Sequence, residues 1–503
     1  MSNLTMLFGE FLKLMDIWIL LVLFGATMMG VIIGALPGLS ATMGIAILTG
    51  LTYQFPLEYT FTILMGVYVG AIYGGSISAI LLNIPGTASA AATALEGHPL
   101  ALQGHAETAI KLTRAASIIG SFIGVVTLTL ITPPLAKIAL MFTSPEYFML
   151  ALFGVMICGS IVTMDIPLKG WIGAILGLLI SCIGMDKLMG ASRFDMGVTE
   201  LMSGVALVPA MIGFYAIPEV IKGFSKNESL TINKLENTIK EKVKLFSNLW
   251  RNMRVIIQSS FIGVGIGALP GVGEDVAAWV AYGAAKKTSK HPEKFGTGCY
   301  EGVIAPEVGN NSAIGGALIP MLTLAVPGSP PAAVLLGALM IHNIRPGPMI
   351  MRDNPEFIYH IAALLFLSVV TLWLAATIIA KPMTLILKVP TVYLMPIVAA
   401  LSIVGAYAIN NRFFDIGVTL VFGLLGYFLD KMKYSPAPIV LGIILGSMID
   451  ENFRRSLMVS RGDLSIFITH PISAFFFAVI IFTLVSTVLK KKKTSKLPEA
   501  TSE

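Results

Sequence analysis

Gly34-Ala35-Leu36-Pro37-Gly38 and Gly267-Ala268-Leu269-Pro270-Gly271 are the same five residues, met once in each half of the chain. A second proline-glycine break follows each of them, as Asn83-Ile84-Pro85-Gly86-Thr87 and as Ala325-Val326-Pro327-Gly328-Ser329. Proline removes an amide donor and strains the turn before it, while glycine permits a sharp reversal or a close approach. In hydrocarbon such breaks are costly, because lipid cannot satisfy the backbone groups they free. They persist where protein or a watery cavity receives those groups. Two halves that break in the same order are what a secondary transporter built on an internal repeat shows, and the breaks then mark its site.

The surroundings of the breaks are those of a membrane protein. Of 503 residues, 55% are hydrophobic and 12% charged, whereas soluble domains carry about 25% charged residues. The mean hydropathy is +0.83. Apolar stretches lie at 18–35, 117–132, 148–162, 171–183, 361–379, 398–409, 418–429 and 472–489. Some alone approach the roughly 20 residues a spanning helix needs; others are half-length. The expectation is an all-α polytopic membrane protein with about a dozen membrane elements, in two repeated halves with broken helices or re-entrant hairpins. The 49 glycines accord with close packing of membrane helices. Cys158, Cys182 and Cys299 are far apart and form no CxxC pair, so neither a disulfide framework nor a zinc site is expected. Residues 1–17 include Glu10, Lys13 and Asp16 and lack a basic segment with a cleavage site. The first helix is therefore expected to target the chain.

The net charge of +6 is concentrated in two places. One is the polar stretch 222–254, with Lys226, Lys234, Lys240, Lys242, Lys244, Arg251 and Arg254; the other is Lys490-Lys491-Lys492-Lys493. The positive-inside rule makes both cytoplasmic, and they read as membrane flanks rather than a nucleic-acid surface. The expected organisation is a first membrane repeat (1–221), a basic linker (222–253), a second repeat (254–465), an extra C-terminal helix (466–489) and a basic tail (490–503), polar and disordered at its end. Further correspondences support the repeat. Asp165-Ile166 and Asp415-Ile416-Gly417 each precede a glycine-rich apolar helix, and Pro145-Glu146-Tyr147 and Pro390-Thr391-Val392-Tyr393 each open one. An odd number of crossings per half makes such a repeat inverted and an even number parallel; the sequence leaves both open. Arg251 and Arg254 before the second Leu-Pro-Gly, and Lys286, Lys287, Lys290 and Lys294 after it, favour a hairpin over 255–284 with Pro270-Gly271 near its tip. The alternative is one long kinked helix.

A new helix is expected after each first break, at Ser40-Ala41-Thr42 and at Val272-Gly273-Glu274-Asp275. Helix starts expose free N–H groups and partial positive charge, which suit a carboxylate. Around the second breaks cluster Ser76, Ser78, Asn83, Thr87 and Ser89, and then Asn310, Asn311, Ser312, Thr323 and Ser329. Their amides and hydroxyls offer oxygens to a cation or hydrogen bonds to a carboxylate, although Asn310-Asn311-Ser312 also reads as an ordinary helix cap. The substrate-binding candidates are Gly38, Ser40, Thr42, Asn83, Gly86, Thr87, Ser89, Gly271, Gly328 and Ser329. The ion-coupling candidates are Glu274, Asp275, Asn310 and Asn311, with Glu274 facing the site and Asp275 capping its helix. No cofactor is expected, and no metal beyond a coupling Na+. Glu96, His98, Glu301, Glu307, His342 and Arg345 are further ionisable groups near the breaks; each taken singly reads as an interfacial charge.

The run from Gly70 through Tyr73-Gly74-Gly75-Ser76 to Asn83-Ile84-Pro85-Gly86 resembles the large membrane subunit of the tripartite tricarboxylate transporters. So do Ala305-Pro306-Glu307-Val308-Gly309-Asn310-Asn311-Ser312, Gly315-Gly316-Ala317-Leu318-Ile319-Pro320, Val326-Pro327-Gly328-Ser329, and Leu335 to Met340 with Arg345-Pro346-Gly347-Pro348. The likeness runs over about 15–485. It implies an ion-gradient-driven importer of the bacterial inner membrane, working with a small four-helix membrane subunit and a periplasmic solute-binding protein. The implied substrates are di- and tricarboxylates, with some other organic acids. Glu274-Asp275 departs from the small residues that the family pattern places after the second Leu-Pro-Gly, and two carboxylates there repel an anion unless cations neutralise them.

Other classes fit less well. A channel needs a continuous polar lining, whereas the polar groups gather at paired breaks. An enzyme needs a catalytic constellation, and the chain has no HExxH, G-x-S-x-G or Walker A motif. The remaining alternative is a stand-alone ion-coupled organic anion transporter, or a channel-like permease for another solute.

Overall fold

The computed structural model describes residues 3–162, 166–186, 188–225, 245–380, 382–387 and 389–494. Asp165, the linker lysines from Lys226 to Lys244 and the end of the basic tail lie outside the described residues. Among the described residues the only strands are the short antiparallel pair Gly184–Met185 and Ser192–Arg193; the rest of the regular structure is helical. Eight helices are long and apolar enough to cross a membrane, accompanied by shorter apolar helices such as Ala41–Leu51, Met253–Gly267 and Pro330–Ile341. This is the expected all-α polytopic architecture. The chain forms two compact units, Met1–Leu140 with Ala206–Asp430, and Met141–Val205 with Lys431–Glu503, so each unit draws on both halves of the sequence.

The larger unit holds all four breaks. In the first half, helix α1 (Ile17–Ala35) ends at Leu36, and Gly38 turns the chain at φ 86°. Ser40 then caps α2 (Ala41–Leu51), accepting the Met43 N–H at 3.1 Å. Gly44 of α2 packs on the side chain of Ile33 of α1, so α2 folds back along α1. After the partner of each break helix come α3 (Leu57–Leu82), α4 (Ala90–Leu100) and α5 (Ala106–Ala139). The second half repeats the series as α6 (Met253–Gly267), α7 (Gly273–Thr288), α8 (Tyr300–Leu324), α9 (Pro330–Ile341) and α10 (Pro355–Ile379). Thr288 at the end of α7 donates to Gln258 near the start of α6 at 3.0 Å, so this segment is a hairpin and not a single kinked helix. With 15 residues, α6 is about 22 Å long, short of the roughly 30 Å hydrocarbon core. The hairpin therefore enters and returns.

The second breaks have a different geometry. Asn83 ends α3 and Ala325 ends α8, both in the left-handed region at φ 56°. The chain then runs back along the helix it has just left. The Gly86 N–H donates to the Gly75 carbonyl at 3.2 Å, and the Gly328 N–H donates to the Ala317 carbonyl at 3.3 Å. Helices α4 and α9 thus begin beside the middle of α3 and α8. The glycines are required by proximity: a Cβ on Gly86 would lie under 3.0 Å from the Gly34 carbonyl, and one on Gly328 under 3.0 Å from the Gly267 carbonyl. First and second breaks are thereby packed together in each half.

Equivalent helices α5 and α10 run antiparallel. Arg114 donates to Thr377 at 2.8 Å, and eleven residues earlier on α10 the Phe366 ring meets Phe122, further along α5, at 6.1 Å between centroids. Equivalent elements that point opposite ways make the repeat inverted. At the centre lies α8, buried from Gly302 to Leu324. Gly120 and Gly124 of α5 let its backbone approach at Val308 and Ser312, the small-residue packing that membrane helices use in place of a hydrophobic drive.

In the smaller unit, helices Pro167–Ser181 and Pro436–Val459 cross at Gly177 and Gly442. The hairpin loop after Ser181 is tied down by charge. Arg454 holds both oxygens of Asp186, at 2.7 and 2.5 Å, and Arg193 reaches Asp186 at 2.6 Å and Asp450 at 3.0 Å. The helix expected at 466–489 is found as Pro471–Thr494, preceded by the short turn Ile466–Thr469.

Two predictions follow from this packing. Gly86→Ala or Gly328→Ala sets a methyl against backbone that cannot yield, and should cost about 3 kcal/mol, at the upper end of overpacking. Gly265→Ala, where nothing lies within 4 Å, should be neutral; yield and thermal midpoint of purified protein compare the three. The hydrogen bonds from Arg454, then those from Arg193, hold the Asp186 carboxyl far below the usual carboxylate range. Its stabilisation of the loop is complete above the unfolded value near 3.8 and is lost only as pH falls below it. Proteolysis of the loop should thus be flat from neutral pH to mild acid, whereas Arg454→Met should raise it at neutral pH.

Candidate substrate and ion site

Four helices begin inside the larger unit: α2 after Ser40, α4 after Ser89, α7 after Val272 and α9 after Ser329. In the second half the two breaks touch directly. The Gly271 N–H donates to the Pro327 carbonyl at 3.0 Å, and Gly273, at φ 71°, lies against Ser329. Ser329 caps α9 by accepting from the Ala332 N–H at 3.3 Å. The first half reaches the same place through two side chains. Tyr68 of α3 donates its hydroxyl to Glu274 and lies 3.0 Å from the Ser329 hydroxyl. Ser89, which makes no cap bond to its own helix, bonds Asp275 through both its backbone N–H and its hydroxyl. Thr87 stands 3.0 Å from Ser89. The start of α7 is therefore where the two inverted halves meet.

Glu274 and Asp275 are neighbours in sequence with opposite surroundings. Glu274 is 2% exposed and held by Tyr68. Asp275 is exposed, as is Ala88 beside Ser89. The sequence expectation has Glu274 facing the site and Asp275 capping; in the structure Glu274 is buried against Tyr68 and Asp275 is the exposed one of the two. The residue before α7 is Val272, which has no side chain to cap with, and Asp275 bonds across to the other half.

The remaining candidates divide. Gly86, Thr87, Ser89, Gly271, Gly328 and Ser329 are drawn together by the contacts above. Thr42 is 8% exposed in the first turn of α2, and the Ser40 hydroxyl is engaged as a cap. Gly38 is exposed and lies against Met395, 3.8 Å from its Cε to a Cβ position. Asn83 is not brought to the helix starts. It ends α3 eight residues beyond Gly75, about 12 Å along the helix. Asn311 donates to the Glu307 carbonyl at 2.9 Å and accepts from Ser121 at 3.3 Å, while Asn310, 1% exposed, has neither polar atom of its side chain hydrogen-bonded.

Glu96 is an anchor. It accepts from Tyr282 at 2.9 Å and from the backbone N–H groups of Gly296, Gly298 (2.8 Å) and Cys299 (3.0 Å), fixing the connection between α7 and α8. Glu307 forms a second polar cluster with Ser76, Thr93 and Ser117. Tyr68, Thr93, Ser117 and Ser121 are site residues that the sequence reading passed over. Tyr68 carried a signal, since a buried tyrosine hydroxyl usually finds a partner; the partner is set by the tertiary fold alone.

An inverted repeat whose broken helices start within the protein is the architecture of a polytopic membrane protein of the transporter class. The chain belongs to the tripartite tricarboxylate transporter TctA family, whose profile matches residues 20–441. It is 33% identical over 480 residues to an uncharacterized 52.8 kDa protein in the TAR-I ttuC' 3' region of Agrobacterium vitis, covering 94% of each chain. A second Agrobacterium vitis protein, uncharacterized and in the TAR-II ttuC' 3' region, is 36% identical over 209 residues, covering 42% of this chain and 86% of that one. No solved structure matches.

Tyr68→Phe should leave the fold intact and remove the hydroxyl shared by Glu274 and Ser329. A hydrogen bond to a charged group contributes about 1.5–3 kcal/mol, so uptake by reconstituted protein should fall at least about tenfold. Tyr59→Phe, in the first turn of the same helix, is the control.

Proposed function

We propose that this chain is the large permease subunit of a binding-protein-dependent secondary transporter that imports organic di- or tricarboxylates, driven by a Na+ or H+ gradient. It would lie in a bacterial inner membrane, with a small membrane subunit and a periplasmic solute-binding protein as partners. The observation that carries the reading is the meeting of the α7 start with Tyr68 and Ser89 of the inverted half. Inverted-repeat transporters bind between their repeats and alternate access by rocking one against the other. In this arrangement the substrate carboxylates accept from the free N–H groups of the helix starts. Asp275 holds the cation that offsets its own charge, and Glu274 is fixed by Tyr68.

Two adjacent carboxylates at one helix start favour a second reading, in which the carried acid has fewer charges than a tricarboxylate, or the chain works without a binding protein. Proteoliposomes containing the chain and its small subunit, supplied with purified binding protein and a panel of labelled di- and tricarboxylates, separate these. The expected result is accumulation of one acid that needs the binding protein and stops when the Na+ or H+ gradient is collapsed. Equal uptake with all gradients collapsed and ATP supplied would contradict it. Asp275→Asn should abolish accumulation while the protein remains folded and inserted. A negative charge acting only on a helix start contributes about 0.3–1 kcal/mol, too little to stop transport, so wild-type uptake by this variant would reduce Asp275 to that minor role.

A further inference from the structure

Glu307 is a carboxylate in the N-terminal third of the most buried helix, 0% exposed. Ser76 of α3 donates to its Oε1 at 2.5 Å, Thr93 of α4 to the same oxygen at 2.5 Å, and Ser117 of α5 to Oε2 at 2.7 Å. Among the described residues no Lys, Arg or His bonds it. An isolated charge within a membrane helix is costly, and hydroxyl donors reduce that cost without supplying the missing positive charge.

The surroundings also hold unused polar groups. The Asn310 amide, one turn along α8, is 1% exposed with both Oδ1 and Nδ2 unpartnered. The Tyr73 hydroxyl, 0% exposed and within electrostatic reach of Arg114 and then of Glu307, has no hydrogen-bond partner either; Arg114 itself donates to Thr377. What points to a ligand is the carboxylate itself: its oxygens are met by three hydroxyls from three helices and by no cationic side chain, an oxygen set that suits a cation.

We propose that Glu307, Ser76, Thr93 and Ser117 form a binding site for a sodium ion, separate from the helix starts around Asp275. Without the ion each hydroxyl donates its proton to the carboxylate. With the ion present each turns about its Cβ–Oγ bond and offers a lone pair, so that the carboxylate and three hydroxyls together surround a hard cation with oxygen, the donor type such ions take. A proton would neutralise Glu307 through one O–H bond and leave its other lone pairs to accept from the hydroxyls, so a response to sodium rather than to pH is what distinguishes the ion from a proton. The carboxylate comes from the second half and every hydroxyl from the first, so the ion joins the halves. Thr93 stands one turn after Ser89 on α4, and Ser89 bonds Asp275; occupancy at Glu307 is thereby linked to the helix starts. The inference rests on the transporter reading for its role in coupling, while ion binding itself does not.

Thermal unfolding of the purified protein in detergent, at constant ionic strength with NaCl exchanged for KCl, tests the site without substrate or partners. Binding to the folded state raises the midpoint saturably. Sodium should do so and potassium should not; Glu307→Gln should abolish the effect, and Ser117→Ala, which keeps the carboxylate, should raise the half-saturating sodium concentration at least tenfold. Should Glu307→Gln not fold, Ser117→Ala and Thr93→Ala carry the test. Wild-type protein indifferent to sodium, stabilisation that follows pH instead, or an unchanged sodium midpoint in Ser117→Ala and Thr93→Ala would overturn the proposal and leave the transport reading standing. Sodium binding as expected, with no uptake of any acid in proteoliposomes, would instead count against the transport reading.

Discussion

Each break in a membrane helix frees backbone N–H and C=O groups that lipid cannot take up, and this chain meets that demand mostly with its own backbone. Gly86 returns its N–H to Gly75, Gly328 to Ala317 and Gly271 to Pro327. These bonds are possible because glycine faces glycine or alanine where the segments touch, at Gly34 with Ala71, Gly75 with Gly86 and Gly267 with Ala313. The position of the site is a consequence. To return its N–H to Gly75, the chain must run back from Asn83, and α4 then starts at mid-helix depth where a free helix start lies within the protein and not at the membrane surface. Glycine content that alone would signal only tight packing becomes, at these positions, what sets the depth of the site.

The two halves share a backbone and divide the chemistry. Counted from Gly86 and Gly328, Tyr68 and Asn310 occupy equivalent places, as do Met65 and Glu307. Counted from Gly38 and Gly271, Ala41 and Thr42 stand where the other half has Glu274 and Asp275. The carboxylates of both clusters thus come from the second half, and apart from that of Ser329 the hydroxyls that bind them, from Tyr68, Ser76, Ser89, Thr93 and Ser117, come from the first. Similar backbones in inverted halves suit two states of similar energy, as alternating access requires. Complementary side chains set these polar contacts into a seam that is otherwise apolar, where Ile80, Leu100 and Leu112 pack with Val255, Val303 and Val308.

The class of fold and the location of the breaks were legible because they depend on local covalent facts: proline lacks a donor, glycine tolerates positive φ, and a pattern repeated in order reports a repeated structure. The hairpin at 255–284 was legible from its flanking charges. What could not be read was direction in space. Asn83 is next to Pro85-Gly86 in sequence and was grouped with Thr87 and Ser89, but the return of the chain separates it from them. Glu96 looked like a membrane charge, and the backbone N–H groups that engage it belong to a loop some 200 residues away. Tyr68 and Ser117 lie within apolar stretches where periodicity shows only a helix. The hand of the repeat was equally hidden, since it rests on the antiparallel run of α5 and α10 rather than on any motif.

The balance of charge at the helix starts gives the arrangement its logic. Each start contributes roughly half a positive charge, so the α4, α7 and α9 starts, which the contacts above bring together, contribute about one and a half. Glu274 and Asp275, when both ionised, offset that sum. On the proposed reading, a carboxylate substrate meets little net attraction until a cation enters beside Asp275, and the cation in turn gains from the substrate's charge. Binding of anion and cation is mutually favourable by linkage, without a moving part that senses both. Glu274, enclosed and held by Tyr68 and Ser329, is poorly placed to take part in that exchange. Asp275, exposed and bonded to the opposite half through Ser89, is placed to couple ion entry to the relation between the halves.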